Sequence, residues 1–507
     1  MELIKAAQKT LDIQYYAIHA DETTDRLFDA LREAGARGVR IRILLDDFNT
    51  SGKNAKVLKL AFERNTEMRL FNPLPGGRSS LLLRIISNLK DVDRIQRRMH
   101  NKIFVADHTV AIAGGRNLGE TYFGQSAGTN FIDVDILGAG RIARDLSRSF
   151  DQYWNHPGAY PVHSLLSEKE VAKIMEPRAP APAGTAPQVA IAASADLQTT
   201  GDAQADSDAA AVALMPMLPI APSARPPTDQ PAENRTRSAR TVTSPTGEVT
   251  TLPALPESTD LSKLNWVWAP SVMLVDKADK IAADADSVEE AQETAVDGLL
   301  QLMSQANKDL LIVTPYFVPG ERMMKQFAAI RQRGVRVRVL TNSLASNDAP
   351  AAHMGYARYR EALLGLGVEL YEMRAEQPSS VGTLGSLGGS LGSSTGGSNA
   401  SLHAKVVVAD DRILVVGSMN LDLRSQLQNS EVAIVIRSRA LSAQATRLIE
   451  PALSQGAYQV ELDEFGKLVW RAPQGSMLGD SASEPDTSAA LRLLIKLIGP
   501  FAPEEML

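Results

Sequence analysis

Cysteine is absent from this chain of 507 residues. Disulfides and thiolate metal sites are thereby excluded, and cysteine usage says nothing of redox compartment. No run of about 18 apolar residues occurs, so no transmembrane helix is predicted. A recognisable signal peptide is lacking too. Met1 leads straight into MELIKAAQKTLDIQYY, which reads as the inside of a folded domain. A segment that ordinarily precedes such a start is expected to be missing, which leaves membrane attachment open. Positive charge is not in excess: the formal net charge is −6 and the pI near 5.8. That balance speaks against a nucleic-acid-binding surface and leaves room for a local basic cleft. Apolar residues make up 44% of the chain, ample for real cores, and the length calls for two or more domains.

What is present centres on one stretch, HAKVVVADDRILVVGSMNLDLRSQLQNSE, from His403 to Glu431. Residues 406–409 and 413–417 are rich in β-branched side chains and predict two short buried strands around an Asp-Asp-Arg turn. Alternation along a strand puts His403 and Lys405 on one face. A lysine on a buried strand is costly unless an anion pairs with it. Gly417, Ser418 and Asn420 follow, a small residue and two hydrogen-bonding groups. The same spacing occurs in RRMHNKIFVADHTVAIAGGRN, which supplies His100, Lys102, Asp107, Gly115 and Asn117. In both copies lysine follows histidine by 2 positions, aspartate by 7 and asparagine by 17. One copy alone is compatible with a core histidine on an ordinary strand; two identical copies are not readily so.

The duplication extends further. ARGVRIRILLD at 36–46 matches QRGVRVRVLTN at 332–342, each between a helical pattern and a strand. The alternation of strands and helices in both halves predicts an α/β fold of two duplicated lobes, each a mixed sheet flanked by helices. The expected domains are 1–176, a linker or insertion at 177–261, and 262–507 with a flexible Gly/Ser loop at 379–401. The linker is Ala/Pro-rich and too poor in apolar residues to offset its ordering entropy. Residues 79–99 mix apolar and basic side chains, which predicts an amphipathic surface helix or a basic lip for anionic lipid. The segment HMGYARYREALLGLGVEL predicts a helix, with His353, Tyr356 and Arg360 on a polar face or lining a cleft.

The paired motifs resemble the HxKxxxxD motifs of the phospholipase D superfamily. RRMHNK, GGRNLGETYF, TPYFVPGE, RGVRVRVLTNSLASNDAP, HMGYARYR, SLHAK and LRSQLQNSE together resemble the bacterial cardiolipin synthases of the C type. The resemblance covers nearly all of the chain outside the linker and the Gly/Ser loop. It implies two lobes with one active site at their interface. His100, Lys102, Asp107, His403, Lys405 and Asp410 are then the catalytic motif residues, with Gly115, Asn117, Ser418 and Asn420 around the phosphate. It further implies an acidic residue beyond each motif that orients that motif's histidine, matched here by Asp133 and Glu431.

Two imidazoles can break a phosphodiester without metal or cofactor. One attacks phosphorus and the other protonates the leaving alkoxide. No Asp/Glu/His cluster at ligand spacing accompanies the motifs, so none is expected. By analogy with the family His100 is the nucleophile and His403 the acid; the residues alone leave that symmetry unbroken. The family implies transfer of a phosphatidyl group to phosphatidylglycerol, with phosphatidylethanolamine associated as donor, at the cell membrane and peripherally. Phospholipid substrates and a membrane surface are the expected partners, nucleic acid is not, and a small partner protein is left open. The alternatives are a hydrolytic phospholipase D, a phosphodiesterase or nuclease of the same superfamily, and a non-enzymatic lipid-binding scaffold.

Overall fold

The computed structural model describes residues 1–88, 92–126, 128–176, 212–214, 240–243, 249–252, 264, 266–282, 294–377 and 398–498. The repeat signature explains the local structure. In both Arg-Gly-Val-Arg segments glycine takes a left-handed backbone, with φ of 93° at Gly38 and 80° at Gly334. Only glycine does so without strain, and it ends a helix there. The helix Glu22–Ala36 thereby turns into a strand at Arg40, and the helix Gly320–Gln332 into one at Arg336.

The first lobe contains strands β1 (Thr10–Tyr15), β2 (Arg40–Asp46), β3 (Thr66–Phe71), β4 (Ile103–Ala106), β5 (Val110–Gly114) and β6 (Asn130–Ala139). The second contains β7 (Asp309–Val313), β8 (Arg336–Asn342), β9 (Glu369–Met373), β10 (Val406–Ala409), β11 (Ile413–Gly417) and β12 (Val432–Arg437). Each lobe orders these strands alike: β6-β5-β4-β1-β2-β3 and β12-β11-β10-β7-β8-β9. The first three strands of each lobe run parallel to one another, and the hairpins that carry the motifs are antiparallel. Chain from the second half also completes the first sheet. Ser398–Leu402 pairs parallel with Asn130–Ile132, so the end of the expected Gly/Ser loop is a strand.

Side-chain alternation then decides how the lobes meet. Ile103 and Val105 of β4, and Val406 and Val408 of β10, enter one core shared by both lobes. The intervening Phe104 and Ala106 enter the first lobe's own core, and Val407 and Ala409 the second's. The helices Arg141–Trp154 and Arg439–Ser454 complete the shared layer. Full burial of each large aliphatic side chain there contributes roughly 1.5–3 kcal/mol, so the lobes are joined by core packing.

Two expectations need correction. The stretch 79–99 is no basic lip among its described residues. It forms the short helices Leu81–Ser87 and Val92–Gln96, and Arg84, Arg97 and Arg98 are buried. Arg84 pairs with Asp47, which also holds Arg78, and Arg98 pairs with Asp46. Leu82 and Ile86 are exposed large apolar side chains of this stretch. Likewise His353, Tyr356 and Arg360 face inward. Arg360 joins Glu372 and Glu484, Tyr356 donates to Glu372, and His353 meets Glu484. This network ties the chain near 484 to the second lobe. Of the expected linker, the described residues are the strands Val212–Leu214, Arg240–Thr243 and Val249–Leu252; the rest of that expectation, and residues 89–91 of the basic stretch, lie outside the described residues.

Candidate active site

Each histidine precedes a short strand and is clamped to the backbone of the opposite lobe. His100 N donates to Ser430 O at 2.9 Å, and Ser430 N donates to Arg98 O at 3.0 Å. His403 N and Ala404 N both donate to Ile132 O at 2.9 Å. The next residues along those partner segments are Glu431 and Asp133. The Nδ1 of His100 accordingly lies 3.0 Å from Glu431 Oε2, and the Nδ1 of His403 lies 2.7 Å from Asp133 Oδ2. The pairing expected within each lobe is thus corrected: each carboxylate holds the other lobe's histidine.

This geometry puts both motifs in one site. A carboxylate on Nδ1 fixes the tautomer and ring orientation and leaves Nε2 for chemistry. Both carboxylates are fully buried. Burial raises Asp133 to about 6 and Glu431 to about 7, against the pull of Lys405 on the first and Lys102 on the second. Ser418 and Ser425 donate to Glu431. At the matching position of the first lobe, Gly115 has no side chain because a Cβ would collide with the Asp133 carboxylate.

Both lysines fold back on their own motif. Lys102 Nζ donates to His100 O at 2.8 Å, and Lys405 Nζ to His403 O at 2.6 Å. Lys405 also lies 3.0 Å from His403 Nδ1. Burial lowers the Lys405 pKa, opposed by Asp133 and then Glu431. Asn117 accepts from Ala17 N and donates to Tyr122 Oη at 2.8 Å. Asn420 is buried, and its Oδ1 has no hydrogen-bond partner among the described residues. Rings close the walls: Tyr16 meets His100 edge-on at 5.1 Å, and Tyr122 and Phe131 lie 5.6 Å and 5.0 Å from His403.

The structure does not bring Asp107 and Asp410 to the imidazoles. They sit beyond the far ends of β4 and β10, at left-handed φ of 51° and 53°. Asp107 accepts from the backbone N–H groups of Gln8, Lys9 and Thr10. Asp410 accepts from those of Asn307, Lys308 and Asp309. These bonds hold both pKa values low despite the opposing effect of partial burial. Each aspartate fastens the start of the central strand beside its motif.

Sequence reading missed two further supports. Asp46 Oδ2 accepts from Met99 N at 2.8 Å, and Asn342 Oδ1 accepts from Leu402 N at 2.8 Å. Each pins the residue just before a motif histidine. The available signal was the repeat itself, since Asp46 and Asn342 end the matching strands β2 and β8.

Comparison with known proteins agrees with this architecture. A family model described as "Cardiolipin synthase, PLD-like domain" matches residues 1–154 and 299–452. The chain belongs to that family. It is 31% identical to cardiolipin synthase C of Escherichia coli strain K12, over 98% of this chain and 90% of that protein. An uncharacterized protein of Helicobacter pylori strain 26695 is 27% identical, over 97% of this chain and 84% of its own. Among solved structures, a phosphatidylserine synthase of Haemophilus influenzae aligns with TM-score 0.56 at 14% identity, covering 100% of this chain and 92% of that one, and so shares the fold. Membership in the cardiolipin synthase family makes this chain a phosphatidyltransferase of the phospholipase D superfamily. No helix among its described residues is long and apolar enough to cross a membrane.

Proposed function

We propose that the chain makes cardiolipin by transferring a phosphatidyl group to phosphatidylglycerol through a phosphohistidine, with phosphatidylethanolamine or a second phosphatidylglycerol as donor. The observation that carries this reading is the crosswise pair of carboxylate-held imidazoles, His100–Glu431 and His403–Asp133. His100 Nε2 attacks the donor phosphorus, and the phosphorus–oxygen bond to the headgroup breaks. The departing oxygen takes a proton from His403. The acceptor hydroxyl then gives its proton to His403, attacks phosphorus and releases His100. Lys102, Lys405, Asn117 and Asn420 stabilise the phosphoryl oxygens as charge develops. Ser418 supports this centre through Glu431 and Gly115 by making room for Asp133, while Asp107 and Asp410 hold the strands in register.

Lipid substrates place the protein at a membrane surface, bound peripherally. Product analysis by mass spectrometry, with defined phospholipids and each omitted in turn, tests the assignment. Cardiolipin that requires phosphatidylglycerol supports it. Phosphatidic acid as sole product would assign a hydrolytic phospholipase D instead.

A further inference from the structure

The catalytic groups are duplicated, but one pair of side chains near them is not. Tyr316 Oη donates to the Asp348 carboxylate, at 3.0 Å from Oδ1 and 2.9 Å from Oδ2. Tyr316 follows β7 and directly precedes Phe317, which bridges to Leu421 beside Asn420. Thr314 Oγ1 donates to Tyr316 O and lies within hydrogen-bond distance of Leu421 N. Asp348 lies six residues past Asn342, on the loop after β8. Both side chains are partly accessible, and the Asp348 charge acts on the buried Lys405.

Among its described residues the first lobe has no counterpart. Ile18 bridges to Leu118 as Phe317 does to Leu421, so Ala17 matches Tyr316. Six residues past Asp46 stands Gly52, where the second lobe has Asp348. The asparagines differ in the same sense. Asn117 Oδ1 is taken by Ala17 N, whereas Asn420 Oδ1 is buried with no partner among the described residues. The second lobe therefore adds a carboxylate whose charge reaches Lys405 and a carbonyl with no partner among the described residues, both acceptors. Phosphate would not select for either, because both repel an anion. They fit a group that donates hydrogen bonds or carries positive charge.

We infer that Asp348, held by Tyr316 and assisted by Asn420 Oδ1, selects the alcohol portion of the substrate, recognising the hydroxyls of a glycerol headgroup or the ammonium of an ethanolamine. This rests on the proposed direction of the reaction, in which the alcohol leaves and enters on the His403 side. The same subsite then serves the departing headgroup and the incoming acceptor, and water, which carries no remote hydroxyl or ammonium, gains nothing from it.

The test compares donor consumption by the full chain on phosphatidylglycerol, phosphatidylethanolamine and phosphatidylpropanol, whose headgroup has neither hydroxyls nor ammonium. A charge-assisted hydrogen bond contributes enough to change kcat/KM about tenfold or more. Asp348→Ala is expected to lower the kcat/KM ratio of phosphatidylglycerol to phosphatidylpropanol by about that factor. Asp348→Asn, which keeps an acceptor but removes charge, is expected to lower the phosphatidylethanolamine ratio more than the phosphatidylglycerol ratio. Tyr316→Phe shifts the ratios in the same direction and by less. Unchanged ratios, or equal losses on all three donors, overturn the inference, the second outcome marking Asp348 as a counter-ion to Lys405. Product identity is read separately: phosphatidic acid in place of cardiolipin refutes the transferase assignment and leaves the donor ratios as a test of the subsite.

Discussion

His100 and Glu431 are 331 residues apart in the chain, yet the imidazole Nδ1 stands 3.0 Å from the carboxylate. His403 and Asp133 repeat the arrangement in the other direction at 2.7 Å. Neither lobe holds its own histidine, so a lobe on its own has a motif without its orienting acid.

The crossed pairing has a spectroscopic consequence. Asp133→Asn is expected to move the imidazole nitrogen resonances of His403 and to leave those of His100 nearly unchanged; Glu431→Gln is expected to do the reverse. Nitrogen-edited NMR on histidine-labelled protein measures both. A change at the histidine of the mutated residue's own lobe would refute the pairing.

Burial of Glu431 couples stability to pH. Its folded pKa, about 7, lies above the ordinary glutamate value of 4.5, so the native state binds the proton more tightly. Stability therefore falls as pH rises from about 4.5 to about 7, by on the order of 3 kcal/mol. Glu431→Gln is expected to flatten this slope and raise stability at pH 8, while activity drops because His100 loses its anionic acceptor. Urea unfolding at several pH values checks the first part. An unchanged slope in the variant would count against it.

Asp107 tests whether spacing alone identifies a catalytic group. Its carboxylate accepts three backbone N–H bonds at the start of β1. Asp107→Ala is expected to cost about 1–3 kcal/mol of stability with little change in kcat per folded molecule. A large fall in kcat with unchanged stability would return Asp107 to the catalytic set.

The lobes and motifs were legible because duplication kept the spacing within each motif equal. Histidine, lysine and asparagine recur at fixed intervals, and Arg-Gly-Val-Arg marks the same helix-to-strand turn twice. The crossed acids were not legible. Sequence places Asp133 on β6, but the contact between Ile132 O and His403 N decides which histidine it meets, and that contact forms only when the lobes pack. The basic stretch before His100 misled for a related reason. Arg84 looks like a surface charge until Asp47, 37 positions earlier, closes on it. Asp107 was read by its spacing, which a turn that fastens a neighbouring strand preserves equally well.

His100→Ala and His403→Ala are each expected to lower turnover about 10⁴-fold or more, and the double variant to be little worse, because the pair acts as a unit. Product formation over long incubations measures this. Losses that multiply would mean that the two imidazoles act independently.

Phosphatidyl transfer through a covalent histidine leaves an adduct that can be trapped. The His403→Ala variant, given a phosphatidyl donor whose leaving group needs no proton, is to be quenched and its peptides mapped by mass spectrometry. A phosphatidyl adduct is expected on His100 in this variant and none in His100→Ala. An adduct on His403 in His100→Ala would exchange the two roles, and turnover of the activated donor with no adduct on either histidine would contradict the covalent mechanism.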